Sequence, residues 1–289
     1  MNKLGIFMNF WEKTWAADHV KYINKAADIG FDILEFQAQP LLEMSEAHCL
    51  SLKREADSRG IELTYSMGLD PRFDVASEDS AVRERGVDYM QRILAKVGLM
   101  GGSIISGVNY AGWGSPDYIV DDKSEILERS IDSISRLLPV AEKYGIIYCV
   151  EAVNRFESVL INTAAEAVDY VKRVDHPNVG MQLDTYHMNI EETSLGDAIR
   201  HAGKYLVHFH TGENNRTAPG RGHIDWQEIA QALRDIDYKG RIVSEPFILM
   251  GGEVGRDIKV WRPLISDESE AALDAEAARL LSFTRDLLG

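Results

Sequence analysis

Eight short, almost uninterrupted apolar runs divide this chain, and each is separated from the next by a longer stretch of helical periodicity. That alternation limits the fold more than any single motif does. Strand–helix–strand units build a parallel sheet whose strands are covered on both faces and are therefore apolar throughout. The runs are LGIFMNF from Leu4, FDILEFQ from Phe31, ELTYSMG from Glu62, SIISGVN from Ser103, IIYCVEAVNRFE from Ile146, VGMQLDTYHMN from Val179, YLVHFHTGE from Tyr205 and RIVSEPF from Arg241. Between them, stretches such as Asp18 to Ile29 repeat apolar residues, Val20, Ile23 and Ala27 among them, at helical spacing. Ser45 with Glu46, Asn162-Thr163 and Asp225 supply helix starts, and Gly30, Gly60, Gly98, Gly145 and Gly240 are placed to stop helices just ahead of the next strand. Eight such units in 289 residues predict a single α/β domain over residues 1–289, a (β/α)8 TIM barrel with its active site at the C-terminal ends of the strands. The long connections after Asn109 (YAGWGSPDY), Glu151 (AVNRFESVLIN), Asp184 (TYHMNIEET), His210 (TGENNRTAPGRGHI) and Glu245 (PFILMGGEVGRDIKVWRP) read as the βα loops of that face.

Glu151, Asp184, His210 and Glu245 stand at the ends of the last four runs, about 26 to 35 residues apart. One acidic residue at a strand end is ordinarily a cap or a loop salt bridge. Four in succession, set into apolar runs such as MQLDT and VSEPF, need a common partner, because an unpaired buried charge is costly. If the runs are parallel strands of one barrel, the four side chains converge on one divalent cation. Three carboxylates and one imidazole suit Mn²⁺, Mg²⁺ or Co²⁺ better than a thiolate-seeking ion, and zinc less well. His208 lies on the same side of its strand as His210 and reads as a core histidine or a supporting neighbour of the ligand.

Acidic residues outnumber basic ones 46 to 31, for a formal charge of −15. Such a surface repels nucleic acid and anionic membranes, so a small neutral or metal-bound substrate fits better. The two cysteines form no CxxC pair, and Cys149 inside an apolar run reads as a small buried hydrophobe, which points to a reducing cytoplasm. No run of eighteen uncharged apolar residues supports a membrane span, and the N-terminal MNKLGIFMNFWEKTW reads as a first strand rather than a signal peptide.

The segments EAVNRFESVLINTAAEAVDYVK, QLDTYHMNIEE, HFHTGENNR, PGRGHIDW, EPFILMGGEVG and DIKVWR resemble the ketose 3-epimerases, the D-tagatose and D-psicose (D-allulose) 3-epimerase family, over essentially the whole chain. The resemblance implies a xylose-isomerase-like TIM barrel and a Mn²⁺ or related ion held by Glu151, Asp184, His210 and Glu245. It also implies interconversion of C3 epimers of free ketoses by homodimers or homotetramers. Glu151 and Glu245 match the family's pair of bases, one removing and the other returning the C3 proton while the ion stabilises the negative charge of an enediolate. By position in the motifs, Glu157, His187 and Arg216 match its polar substrate contacts, and Trp113 its aromatic wall. Trp15, near the first strand mouth, reads as packing.

Four positions depart from the family's pattern. Phe7 stands where the family often has a Tyr, and Ser66 and Val108 replace smaller residues usual in the psicose-preferring branch. Gly112 leaves out a bulky side chain before Trp113. Loss of a hydrogen-bonding group from a sugar pocket changes specificity strongly, which implies an unusual preference among ketoses. Rival chemistries on the same barrel are an aldose–ketose isomerase and a dehydratase of a cyclic ketone. An endonuclease IV-like DNA repair enzyme is the rival from another class, disfavoured by the acidic charge.

Overall fold

The computed structural model describes residues 2–114 and 120–288. Eight strands, β1 (Leu4–Phe7), β2 (Ile33–Gln37), β3 (Glu62–Gly68), β4 (Ile104–Val108), β5 (Ile147–Ala152), β6 (Val179–Asp184), β7 (Leu206–Thr211) and β8 (Arg241–Ser244), pair in parallel and in chain order. The ring closes where β1 meets β8, with Leu4 opposite Ile242. Around it lie α1 (His19–Ile29), α2 (Glu46–Arg59), α3 (Ser80–Leu99), α4 (Ser124–Tyr144), α5 (Ala164–Val174), α6 (Thr185–Glu191), α7 (Leu195–Ala202), α8 (Trp226–Asp235), α9 (Gly252–Asp257) and α10 (Glu270–Leu288). The expected single-domain (β/α)8 barrel is therefore the observed fold. Residues 115–118 (SPDY) of the expected loop after β4 lie outside the described residues.

Local sequence explains the element boundaries. Asp18, Ser45, Thr163 and Asp225 each accept a backbone N–H from the first turn of the helix that follows. Thr163 completes a capping box, since Glu166 reaches back to the Thr163 N–H as the Thr163 hydroxyl accepts from Glu166. Gly30, Gly60 and Gly145 end α1, α2 and α4 in the left-handed conformation. Two expected stops are placed differently. Gly98 is still inside α3, where a side chain would run into Tyr144 of α4, so it is a close-packing glycine and Gly101 makes the left-handed turn. At the end of α8, Asp237 takes the left-handed conformation, whereas Gly240 lies against the ring of Tyr238.

Register sets the height of the site. Asp184 pairs with His210 across β6 and β7, and Glu151 pairs with Gln182 across β5 and β6. Strand β8 ends at Ser244, but the Glu245 N–H still donates to the Thr211 carbonyl at 3.0 Å, which extends the ladder by one residue and holds Glu245 level with the others. The segment after Asp184 is a helix rather than the expected loop: Asp184 is itself the N-cap of α6, which puts His187 on the first helical turn, over the barrel mouth.

The capping box tests this reading of the helix starts. Thr163→Ala should lower the unfolding free energy by about 1 kcal/mol, read as a lower urea midpoint, without altering divalent-ion uptake.

Candidate metal centre and active site

Glu151, Asp184, His210 and Glu245 come together at the barrel mouth, each at 8% relative exposure or less. Donor atoms of Asp184, His210 and Glu245 all lie within 4.8 Å of one another, and so do those of Glu151, Asp184 and His187. Asp184 Oδ1 accepts the Tyr186 N–H at 2.8 Å, the N-cap bond of α6, which leaves Oδ2 turned to the centre. Glu151 Oε1 and His210 Nδ1 are buried polar atoms without a hydrogen-bond partner among the described residues. Buried polar atoms are rarely left in that state, and two acceptors beside two further carboxylates fit a cation.

Hydrogen bonding distinguishes the histidines. His210 Nε2 donates to Glu35 Oε1 at 2.6 Å, leaving Nδ1 bare and 3.5 Å from Glu245 Oε1. His187 is arranged the other way round. Its Nδ1 accepts from the Asn154 backbone N–H at 3.2 Å and from Asn154 Nδ2 at 2.8 Å, so a neutral ring carries its proton on Nε2. Burial holds His187 below the usual imidazole range and in that neutral form. The open nitrogen of His210 is thus Nδ1, whereas that of His187 is Nε2, which lies 3.3 Å from Arg216 Nη2. His208, with no measurable exposure, donates to Glu35 and is the supporting neighbour that its parity suggests.

Arg216 bridges the acidic groups. Its guanidinium reaches Asp184 Oδ2 at 3.1 Å and Glu245 Oε2 at 3.2 Å, lies 3.8 Å from Glu157, and stacks on Tyr186 with its carbon 3.9 Å from the ring centre. The backbone there takes a positive φ of 64°, unusual for a side chain of this size and characteristic of strained functional positions. Burial alone would raise the Asp184 carboxyl, but Arg216, His187 and His210 outweigh it and hold Asp184 below its ordinary range. Glu157 is held down in the same sense: His187, Arg216 and the Trp113 Nε1–H bond of 3.0 Å overcome its burial. Glu151 goes the opposite way. Burial raises it well above the carboxylate range, and the charges of Glu245 and Asp184 add to the rise against the pull of His210 and Arg216.

Above these groups opens a cleft at the barrel mouth. One wall is charged, formed by Glu151, Glu157, His187, Arg216 and Glu245. The rest of the lining is mainly apolar, with Phe7, Val108, Trp113 and Phe247 beside Ser66 and Gln37. Phe7 packs edge-on against Phe247, and Trp15 does the same while its Nε1–H donates to Asp257 at 2.9 Å. Trp15 therefore lines the cleft as well as packing. Trp113 lies directly on Gly68, where any β-carbon would collide with its indole. Gly112 faces Pro71 and Asp74 outside the lining of the cleft and adds no room to it, contrary to the expectation from its place beside Trp113.

Sequence reasoning missed Glu35, Gln37 and Asn154. Glu35 carried a signal, a carboxylate in the middle of the apolar run FDILEFQ, and Gln37 shares its face of β2 two residues on. Asn154 carried none, because only the folded loop shows that it orients His187.

Residues 23–264 match the family described as Xylose isomerase-like TIM barrel. The chain is 46% identical over 286 residues to the D-psicose 3-epimerase of Ruminiclostridium cellulolyticum, covering 99% of this chain and 98% of that one. It is 43% identical to the D-psicose 3-epimerase of Agrobacterium fabrum, with 99% of each covered. The crystal structure of D-psicose 3-epimerase with D-tagatose from Clostridium cellulolyticum H10 superposes with a TM-score of 0.96 at 46% identity, covering 99% of each chain. The chain belongs to the ketose 3-epimerase family of isomerases, within the xylose isomerase-like TIM barrels.

Protons and a divalent ion compete for the same atoms here. Burial opposes a charge on His210, yet Glu35 and Glu245 together raise its ring well above the ordinary 6.5, and Glu151 is raised as well. Both therefore hold protons at a higher pH than free side chains do, and ion binding must release them. Manganese uptake measured by titration calorimetry should weaken as the pH falls, beginning above 6.5; an affinity independent of pH through that region would contradict this arrangement.

Proposed function

We propose that this protein interconverts the C3 epimers of free ketoses, of the D-psicose/D-fructose or D-tagatose/D-sorbose type or the ribulose/xylulose pair, with a divalent ion, Mn²⁺ first and Mg²⁺ or Co²⁺ after it, held by Glu151, Asp184, His210 and Glu245. The observation that carries this reading is the pair of bare, buried acceptors, Glu151 Oε1 and His210 Nδ1, on a site otherwise built of carboxylates. Bound there, the ion supplies electrostatic stabilisation for negative charge developing next to the ketose carbonyl.

Inversion at C3 needs a base on each face of the carbon. Glu151 at the end of β5 and Glu245 just past β8 lie three strands apart round an eight-strand ring, and so face each other across the mouth. One takes the C3 proton and the other returns a proton from the opposite side; the reverse reaction exchanges the roles. Burial raises the Glu151 carboxyl, and a bound ion would pull it back towards the ionised form that a base needs. His187 Nε2–H and the Arg216 guanidinium donate to the carbonyl oxygen, where charge develops. Glu157, held ionised and fixed by Trp113, accepts from a substrate hydroxyl, and the Trp113 indole forms a flat wall for the sugar.

Phe7, Ser66 and Val108 line the cleft beside the charged groups, so they act on which ketose is preferred rather than on the chemistry. The same reading takes the enzyme as a cytoplasmic homodimer or homotetramer. Supporting this are two free, buried cysteines and two aromatic side chains, Phe156 and Trp261, at 68% and 69% exposure. No helix among the described residues is long and apolar enough to cross a membrane.

Run in D₂O, the reaction should place one deuterium at C3 of the epimer formed. Glu151→Gln and Glu245→Gln should each lower kcat by roughly 10²-fold or more. Deuterium at C2 of an aldose product would replace epimerisation by isomerisation. Phe7→Tyr should change the ratio of kcat/KM between two hexuloses by about tenfold and leave Mn²⁺ affinity unaltered; an unchanged ratio would remove Phe7 from substrate choice.

A further inference from the structure

Beneath the proposed ion lies a buried polar cluster that the reaction itself does not use. Glu35, with no measurable exposure, sits in the middle of β2 and receives three donors. Its Oε1 accepts from His210 Nε2 at 2.6 Å, and its Oε2 accepts from His208 Nε2 at 2.8 Å and from the Thr64 hydroxyl at 2.7 Å. The carboxylate reaches across the barrel to residues 173 and 175 positions away in the chain. A buried carboxylate is expensive unless its oxygens are bonded, and these three donors satisfy it.

The consequence falls on the imidazoles. The two Nε2 atoms stand 3.2 Å apart, so neither can donate to the other while both point at Glu35, and each must donate to its own carboxylate oxygen. Both rings thereby commit Nε2–H to Glu35 and have only Nδ1 left for an ion, and both Nδ1 atoms lack hydrogen-bond partners among the described residues. Only the Nδ1 of His210 faces Glu245. We infer that Glu35 is a positioning residue of the metal centre, fixing the proton and orientation of His210 so that its bare Nδ1 is presented to the ion. A glutamine in its place would fill the same space but would offer an N–H to one of the rings, and that ring would have to turn an acceptor nitrogen towards it. Partners of this kind, which hold a ligand from behind, are worth about 10–100-fold in metal affinity.

The inference rests on the proposed ion site, and the test separates the two. Wild type, Glu35→Gln, Glu35→Asp, Thr64→Val and His210→Ala, all stripped with chelator, are titrated with Mn²⁺ without sugar. Free ion is read from its electron paramagnetic resonance signal, and thermal midpoints are taken with and without Mn²⁺. The expected result is tight binding by wild type and its loss in His210→Ala. Glu35→Gln should bind at least tenfold more weakly, with a midpoint in chelator near that of wild type and a smaller rise on adding Mn²⁺. Thr64→Val, which leaves both imidazole bonds in place, should bind within about threefold of wild type. A merely structural Glu35 would lower the midpoint in chelator without changing affinity in the folded chain. Should Glu35→Gln fail to fold, Glu35→Asp decides, since it keeps the charge but loses the reach to His210. Affinity within about threefold of wild type in whichever of the two folds overturns the inference alone; a wild-type chain that takes up no Mn²⁺ overturns the proposed function along with it.

Discussion

Mutual repulsion among buried carboxylates is the constraint on which this structure turns. Glu151, Asp184 and Glu245 occupy one end of a closed barrel with Glu157 close by, and the apolar barrel wall excludes the water that would otherwise screen them. A single guanidinium, Arg216, reaches two of them directly. Placing that guanidinium requires a left-handed residue in the loop after β7, a cost of order 1–3 kcal/mol that only a strongly favourable site sustains. Much of the surrounding architecture follows from this crowding. The loop holding Arg216 is itself held by Glu213, whose carboxylate accepts from Gly220 N, Ile224 N and the Trp226 indole. Even so, one cation does not offset every carboxylate, and Glu151 keeps a bare oxygen. A resident divalent ion resolves that imbalance, and the family to which the chain belongs gives the imbalance a catalytic use.

The two halves of the cleft have different physical character, which separates chemistry from choice. Charged groups come from β5, β6, β7 and the end of β8, each fixed by burial, a helix cap or a bond from behind. The side chains lining the cleft from β1 to β4 are apolar apart from Ser66 and Gln37. On the proposed function, an aromatic lining there could be altered without disturbing the charge balance, so that substrate preference would vary apart from proton transfer.

The strand ends and the four charged or imidazole side chains gathered there were legible in the sequence because a charge inside an apolar run is a local anomaly and the barrel repeats it at regular spacing. The helix starts were legible for the same local reason, side-chain oxygens placed ahead of amphipathic stretches. What could not be read depended on neighbours far along the chain. Gly98 looked like a helix stop until Tyr144 of α4 showed why no side chain fits there. Residues 185–191 looked like a loop because Asp184 seemed committed to the centre, whereas one of its oxygens caps α6 while the other faces inwards. Glu35 was visible as an oddity in β2, but only barrel closure brings it to His208 and His210, and with them settles which imidazole nitrogen is free.

If four side chains on consecutive strands hold one ion, with Glu151 and Glu245 on opposite faces of the reacting carbon, anomalous diffraction at the manganese edge from crystals soaked with Mn²⁺ and a ketose should show one strong peak bounded by Glu151, Asp184, Glu245 and the Nδ1 of His210. C3 of the sugar should lie between the two glutamates. A peak elsewhere, His210 bound through Nε2, or C1 and C2 between the glutamates in place of C3 would contradict that arrangement.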